Sequence, residues 1–273
     1  MLPFLMIQTR PDAEVADDER RTTIELGGFG PGELVSLRLD RVVEGQEVHA
    51  PEEGQSLIAA EEAAVADSAA EPFDWETVLD GHSGIILVGS PFNSSDPEEE
   101  KSELQRRVEV ELRRMLDAVV ARDFPLFGAC YGVGTLGLHQ GAAVDRTYGE
   151  KAGPVRITVT EAGAEDPVLA GVASTFWGYV GHKEAIRTLP PHAVLLASGQ
   201  DCPVQMFRIG QNMYATQFHP ELTADSLLYR LTVYDRHGYF DPGDLEKISA
   251  RVARHQVTEP QKILANFRTR YAR

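Results

Sequence analysis

Phe124-Pro125-Leu126-Phe127-Gly128-Ala129-Cys130-Tyr131-Gly132 is the stretch on which the fold turns. Its first half, Phe124 to Gly128, is a short apolar run of the kind a strand buried on both faces shows. Tyr131 to Gln140 follows at once, small and apolar, and reads as a helix. Cys130 therefore stands at a strand-to-helix junction inside G-x-C-x-G, the context of a nucleophile elbow. The sharp turn holds the side chain out at the C-terminal edge of a sheet. The flanking glycines leave room for the close backbone approach that such a turn demands. A helix N-terminus behind the sulfur favours its anionic form, the form that attacks.

Upstream, Gly84 to Val88 is a second buried strand, ended by the loop signal Gly89-Ser90-Pro91. Between the two strands, Leu104, Val108, Leu112, Met115 and Val119 repeat at helical spacing. Asp96 and Pro97 supply a start, so the pattern predicts a helix from about Glu98 to Ala121. Strand, helix, strand, elbow, helix is a βαβ pattern, and such units build parallel sheets. Nearer the N-terminus, Pro3 to Thr9 reads as a buried strand and Glu33 to Leu39 as another. Asp12 to Gly28 is polar, with Ile24 and Leu26 as sparse apolar positions. Glu44 to Asp74 is a long acidic insertion, with a helical candidate at Ser56 to Val65 and the length of a lid.

Downstream the texture changes. Val155 to Thr160, Ser174 to Val180, Val194 to Ser198, Val204 to Ile209 and Met213 to Gln217 are short strand candidates with turns between them. From Ala224 the chain reads as helical, broken at Asp241-Pro242-Gly243. The expected architecture is a three-layer α/β/α domain, flavodoxin-like, with a mostly parallel central sheet. Residues 1–223 form that domain, and residues 224–273 a helical extension packed on it. The active site belongs at the C-terminal strand ends, and the second-half strands extend the sheet and form an antiparallel flap.

A thiolate nucleophile needs a base, and the base needs an orienting group. Gln217-Phe218-His219-Pro220-Glu221 supplies both after a predicted strand. Pro220 turns the chain away from helix. Glu221 then reaches one ring nitrogen of His219 while the other faces Cys130.

The paired motifs resemble the class I glutamine amidotransferase family. Pro125 to Ala142 resembles its nucleophile segment, Gln217 to Glu221 matches its Q-F-H-P-E motif in all five positions, and Gly89-Ser90-Pro91 stands where the family has a Gly-Gly-Pro loop. Trp177 to Glu184, with His182, and Ala197 to Cys202 resemble the amidotransferase domain of GMP synthases. The likeness covers Gly84 to Glu221, about half of the chain. It implies a Cys130-His219-Glu221 triad acting through a γ-glutamyl thioester. It also implies an oxyanion hole from the Tyr131 N–H and the Gly89-Ser90 loop. The substrate is glutamine or a γ-glutamyl amide, with ammonia passed to an acceptor on another chain or released. Two positions depart from the family. Gly134 stands where a substrate-holding Gln is common, and Ser90 replaces the second glycine of the oxyanion loop. Gly134 and His182 are the remaining candidates for the substrate side of the pocket.

The chain has 273 residues and a net charge of −16, from 42 acidic and 26 basic residues. An acidic surface repels phosphate backbones and anionic membranes, so neither nucleic acid nor membrane is an expected partner. No apolar run is long enough to span a bilayer. Two cysteines without CxxC or a Cys/His cluster make neither a disulfide framework nor a zinc signature. A reducing cytoplasm fits them. No P-loop is present and no cofactor is expected. A synthetase, if one uses the ammonia, is a separate polypeptide. Three rivals stand beside the amidotransferase. One is a stand-alone γ-glutamyl amide or peptide hydrolase, which suits Gly134. Another is an α/β-hydrolase such as a dienelactone hydrolase, disfavoured because the acid follows the histidine. The last is a non-catalytic protein with a relict site.

Overall fold

The structure, a computed structural model, describes residues 1–45, 73–234 and 243–273. All but the ends of the acidic insertion, including the helix expected at 56–65, lies outside the described residues. So do Asp241 and Pro242.

Side chains of a strand alternate between two faces, and here both faces are covered. In β1 (Phe4–Gln8), Leu5 and Ile7 enter one core cluster while Phe4 and Met6 enter another. β3 (Gly84–Leu87) divides in the same way: Ile85 and Leu87 go to the first core, Ile86 to the second. Strands buried on both sides read as unbroken apolar runs, which is why they were legible. With β2 (Leu34–Arg38), β4 (Leu126–Ala129) and β11 (Met213–Thr216), they form a parallel block in the order β2-β1-β3-β4-β11.

Beyond β11 the same sheet continues antiparallel through β10 (Met206–Ile209), β9 (Val194–Gly199), β6 (Glu150–Val159) and β7 (Thr175–His182). The second-half strands thus extend the central sheet. Two short strands not expected from sequence, β5 (Ala143–Asp145) and β8 (Ala185–Thr188), pair as a separate ribbon.

The first core is closed by α2 (Leu39–Val43), α3 (Trp75–Asp80), α4 (Glu103–Ala121) and α5 (Tyr131–His139). α4 begins at Glu103 rather than Glu98, because the Ser102 hydroxyl caps it by accepting from the Gln105 N–H; Ser at this position satisfies an otherwise orphan donor. The polar segment after β1 is also a helix, α1 (Ala13–Gly27), capped by Asp12 at its start and by left-handed Gly28 at its end. Its inward residues include Glu19, Thr22 and Thr23. The two threonine hydroxyls donate to carbonyls one turn back, at 3.0 and 2.7 Å.

After a four-residue helix α6 (Glu161–Ala164), the C-terminal region supplies α7 (Ala224–Val233), α8 (Leu245–Val252) and α9 (Glu259–Tyr271). α9 closes the second core. Phe267 is fully buried, with its ring centroid 5.3 Å from Phe127 and 6.0 Å from Phe4. The architecture is three layers, α/β/α. No helix among the described residues is long and apolar enough to cross a membrane.

Candidate active site

Cys130 sits between the last residue of β4 and the first of α5 with φ 53° and ψ −89°. Side chains rarely adopt such a φ, and holding one there costs about 1–3 kcal/mol unless the surroundings impose it. They do. The Cys130 N–H donates to the Thr216 carbonyl of β11 at 2.8 Å, and the Cys130 carbonyl accepts from Val133 at 2.9 Å to start the helix. The turn is tight enough that a Cβ on Gly128 would lie 3.0 Å from Gly132 Cα. That is why the motif carries glycine before the cysteine.

His219 arrives from the end of β11. Its N–H donates to the Tyr179 carbonyl at 2.9 Å, and the Thr216 hydroxyl fixes the Phe218 carbonyl at 2.9 Å. His219 Nδ1 lies 2.7 Å from Glu221 Oε1, and the Cys130 side chain is close enough to act on the ring electrostatically. Both His219 and Glu221 are buried. Burial by itself disfavours the imidazolium, but the Glu221 carboxylate and Cys130 outweigh it, and the His219 pKa rises to about 9. Burial likewise opposes the Glu221 carboxylate, yet His219 and then Arg230 hold its pKa down at about 2.

The carboxylate does not stand alone. Arg230 Nη1 from α7 lies 3.4 Å from Glu221 Oε1 and 3.3 Å from Glu19 Oε1. Arg10 Nε lies 3.1 Å from the same Glu19 oxygen. The chain His219–Glu221–Arg230–Glu19–Arg10 alternates in sign and is buried throughout. Removing one partner from such a pair leaves a bare buried charge, at about 3–5 kcal/mol.

Of the oxyanion candidates, Tyr131 opens α5, so its N–H belongs to a first turn with no acceptor inside the helix. Its ring is buried, and burial, with Glu109 and Glu184, keeps the hydroxyl protonated far above the ordinary tyrosine range. Gly89 packs directly on the site: a Cβ there would lie 3.0 Å from His219 Cε1 and 3.8 Å from Cys130 Cβ. The Ser90 hydroxyl accepts from the Phe92 N–H at 3.2 Å, which ties the loop to itself.

A cavity of about 50 Å³ adjoins Cys130, His219 and Ser90, and its far wall is Leu227, Leu231 and Tyr234. The two remaining substrate-side candidates do not line it. At Gly134 a Cβ would meet Glu184 Oε1 at 2.6 Å and Ser94 Oγ at 2.9 Å. The space beside this residue is already filled. The Glu184 carboxylate accepts there from the Ser94 and Ser95 N–H groups at 2.8 and 2.7 Å. His182 points to a different cluster, with Nε2 2.9 Å from Glu150 Oε2 and Nδ1 2.8 Å from the Glu184 carbonyl.

Arg10, Glu19, Glu184 and Arg230 were missed by sequence reasoning. Arg10 reads as the end of a strand, and Arg230 lies in helices without a motif. Glu184 alone left a local trace, two residues after His182.

Known proteins share the family and the fold. The family model for glutamine amidotransferase class-I matches residues 60–227. A GMP synthase (glutamine-hydrolysing) of Porphyromonas gingivalis is 33% identical over 145 residues, 53% of this chain and 26% of the relative. One subunit of the GMP synthase (glutamine-hydrolysing) of Thermoplasma volcanium is 30% identical over 145 residues, 53% of this chain and 65% of the relative. The chain thus spans less than two thirds of either relative. Among solved structures, a glutamine amidotransferase of Thermotoga maritima superposes with a TM-score of 0.68 at 16% identity, covering 99% of this chain and 97% of that one. SMU.1228c superposes with a TM-score of 0.65 at 18% identity, covering 99% of this chain and 100% of that one. With more than half its length matched by the family model and the elbow and Q-F-H-P-E motif meeting at one point, the chain belongs to the class I glutamine amidotransferase family.

Proposed function

We propose that the protein hydrolyses the side-chain amide of glutamine through Cys130, His219 and Glu221, with the ammonia released for an acceptor on another chain. The observation that carries this reading is the strained Cys130 beside an imidazole whose Nδ1 is held by a buried carboxylate. Cys130 passes its thiol proton to His219, its Sγ adds to the amide carbon, and the oxygen takes the negative charge. The Tyr131 N–H and the Gly89-Ser90 loop are the donors for that oxyanion. As the C–N bond breaks, His219 protonates the departing nitrogen, so ammonia leaves and a γ-glutamyl thioester remains. His219 then takes a proton from an attacking water; the C–S bond breaks, glutamate departs and the thiol regains its proton. Glu221 orients the ring and stabilises its charged form. Arg230 positions Glu221. Both cysteines are free, and a reducing cytoplasm keeps such a nucleophile in that state.

The Thermoplasma volcanium relative is by its name one subunit of a larger enzyme, which supports a separate synthetase partner. A second reading, a stand-alone hydrolase of γ-glutamyl amides or peptides, is favoured by one feature. The family's common Gln is replaced by Gly134, and Glu184 fills its space. The test incubates wild type and Cys130→Ala with glutamine and with a panel of γ-glutamyl amides, following ammonia and amine release. Glutamine turnover lost in Cys130→Ala supports the first reading. Cleavage of conjugates alone moves the assignment to the second. Turnover that survives in Cys130→Ala overturns both.

A further inference from the structure

Glu150, His182 and Cys202 take no part in the chemistry above, yet the fold brings them together. Glu150 at the start of β6 and His182 at the end of β7 are cross-strand partners. Cys202 comes from the turn between β9 and β10. One potential ligand atom from each lies within 4.8 Å of the other two. The side chains of Glu150 and His182 are only 6% and 2% exposed, and Cys202 is fully buried.

The polar contacts of the cluster are short. His182 Nδ1 faces the Glu184 carbonyl and Nε2 faces the Glu150 carboxylate, at 2.8 and 2.9 Å. Both are acceptors, so His182 Nε2 and Glu150 are bridged either by a proton or by a metal cation. An independent observation favours the metal. Gln205 is fully buried and donates from Nε2 to Glu150 Oε2 at 2.7 Å, while its Oε1 has no partner. A buried carbonyl left unmade costs about 1–3 kcal/mol. Rotating that amide by half a turn brings Oε1 towards Glu150, which two acceptors tolerate only with a cation between them.

We propose that Glu150, His182, Cys202 and Gln205 Oε1 form a closed four-coordinate site for a divalent transition metal, zinc by the chemistry of its donors. Imidazole, thiolate and carboxylate together suit zinc, whereas magnesium and calcium take oxygen shells. The Glu184 carbonyl at His182 Nδ1 is the outer partner that fixes the ring with Nε2 as ligand. Tetrahedral bonds of about 2.0–2.3 Å place ligand atoms about 3.3–3.7 Å apart, so the cluster contracts slightly on binding. With no open position the metal is structural. It ties the β6–β7 hairpin to the β9–β10 turn, two residues from the Glu184 carboxylate that holds Ser94 and Ser95. The proposal is independent of the amidase reading.

The test uses the full chain expressed without an affinity tag that binds metal. Metal content is measured by plasma mass spectrometry on wild type, Cys202→Ser and Glu150→Gln. Each is also refolded from denaturant with one equivalent of Zn²⁺ or Co²⁺. The expected result is one zinc per wild-type chain and background zinc in both variants. Refolding with Zn²⁺ should raise Tm in wild type alone. Refolding with Co²⁺ should give a thiolate-to-cobalt charge-transfer band that survives Cys130→Ala and vanishes in Cys202→Ser. Circular dichroism identifies any variant that has simply not folded, and Glu150→Gln is the milder of the two. Wild type that takes up neither metal after refolding, or a cobalt band that follows Cys130 instead of Cys202, overturns the site and leaves a proton-bridged Glu–His pair.

Discussion

Replacing Glu221 with Gln removes one charge and almost no volume, so it isolates what the carboxylate does for His219. In the native site the His219 pKa lies at about 9 against an ordinary 6.5. That interval corresponds to about 3 kcal/mol in favour of the imidazolium. Burial opposes the charged ring, and the Glu221 carboxylate stands first among the groups that overcome it, ahead of Cys130. With a neutral amide at position 221 burial gains the upper hand, and His219 should titrate well below about 9. Ring ¹⁵N signals from histidine-labelled protein report this directly, with His219→Gln used for assignment. The stability profile carries the same signature. A pKa raised in the folded state gives stability that is complete below pH 6.5 and is lost as pH rises through about 9. The lowered Glu221 pKa gives stability that is present above pH 4.5 and is lost as pH falls through about 2. Both limbs describe one ion pair and should flatten together in Glu221→Gln. Activity should fall by about 10³–10⁴-fold, because a Gln amide donating to Nδ1 forces the wrong tautomer on the ring. A His219 titration unchanged in the variant, or a kcat loss of less than about tenfold, would refute the reasoning.

Three other substitutions probe the packing of the site. Gly89→Ala places a methyl group 2.8 Å from Arg10 Nη2 and 3.0 Å from His219 Cε1; the guanidinium must move and the ring is crowded, and kcat should drop by about 10²-fold with the fold intact, measured by turnover beside circular dichroism. Gly134→Gln, which restores the family's common residue, should not restore a family-like pocket. Its Cβ meets Glu184 Oε1 at 2.6 Å, overpacking costs about 1–3 kcal/mol, and Tm should fall by several degrees; recovery on adding Glu184→Ala is the check. Cys130→Gly should abolish amide hydrolysis while raising Tm, since glycine adopts φ 53° freely and releases strain of about 1–3 kcal/mol. A lower Tm in that variant would mean the elbow is not strained.

Those outcomes bear on how much of this molecule its sequence displays. β1, β3 and β4 were legible because both faces of each strand are buried, which leaves a continuous apolar run. α1 was not, since the residues it turns inward include Glu19, Thr22 and Thr23. They pass as surface in sequence and become core only because Arg10, Gln8 and neighbouring carbonyls satisfy them. Hydrophobic periodicity has no way to record a polar face that is neutralised from elsewhere. β5 and β8 escaped for a simpler reason. They are three and four residues long and pair only with each other.

The site divides along the same line. Cys130, His219 and Glu221 announce themselves because the elbow and the His-Pro-Glu turn are local geometries with local sequence requirements. What holds them does not. Glu221 is braced by Arg230 from α7, Arg230 by Glu19 from α1, and Glu19 by Arg10 at the end of β1. Each residue alone is an ordinary charged side chain, and the network exists only once the two ends of the chain are packed together. The C-terminal helices are therefore part of the site in two senses. Through Arg230 they set the charge behind Glu221 and His219, and through Leu227, Leu231 and Tyr234 they wall the cavity beside Cys130. Arg230 and the two leucines of the cavity wall lie on the same helix, so the charge behind Glu221 and the shape of the cavity are set by one element.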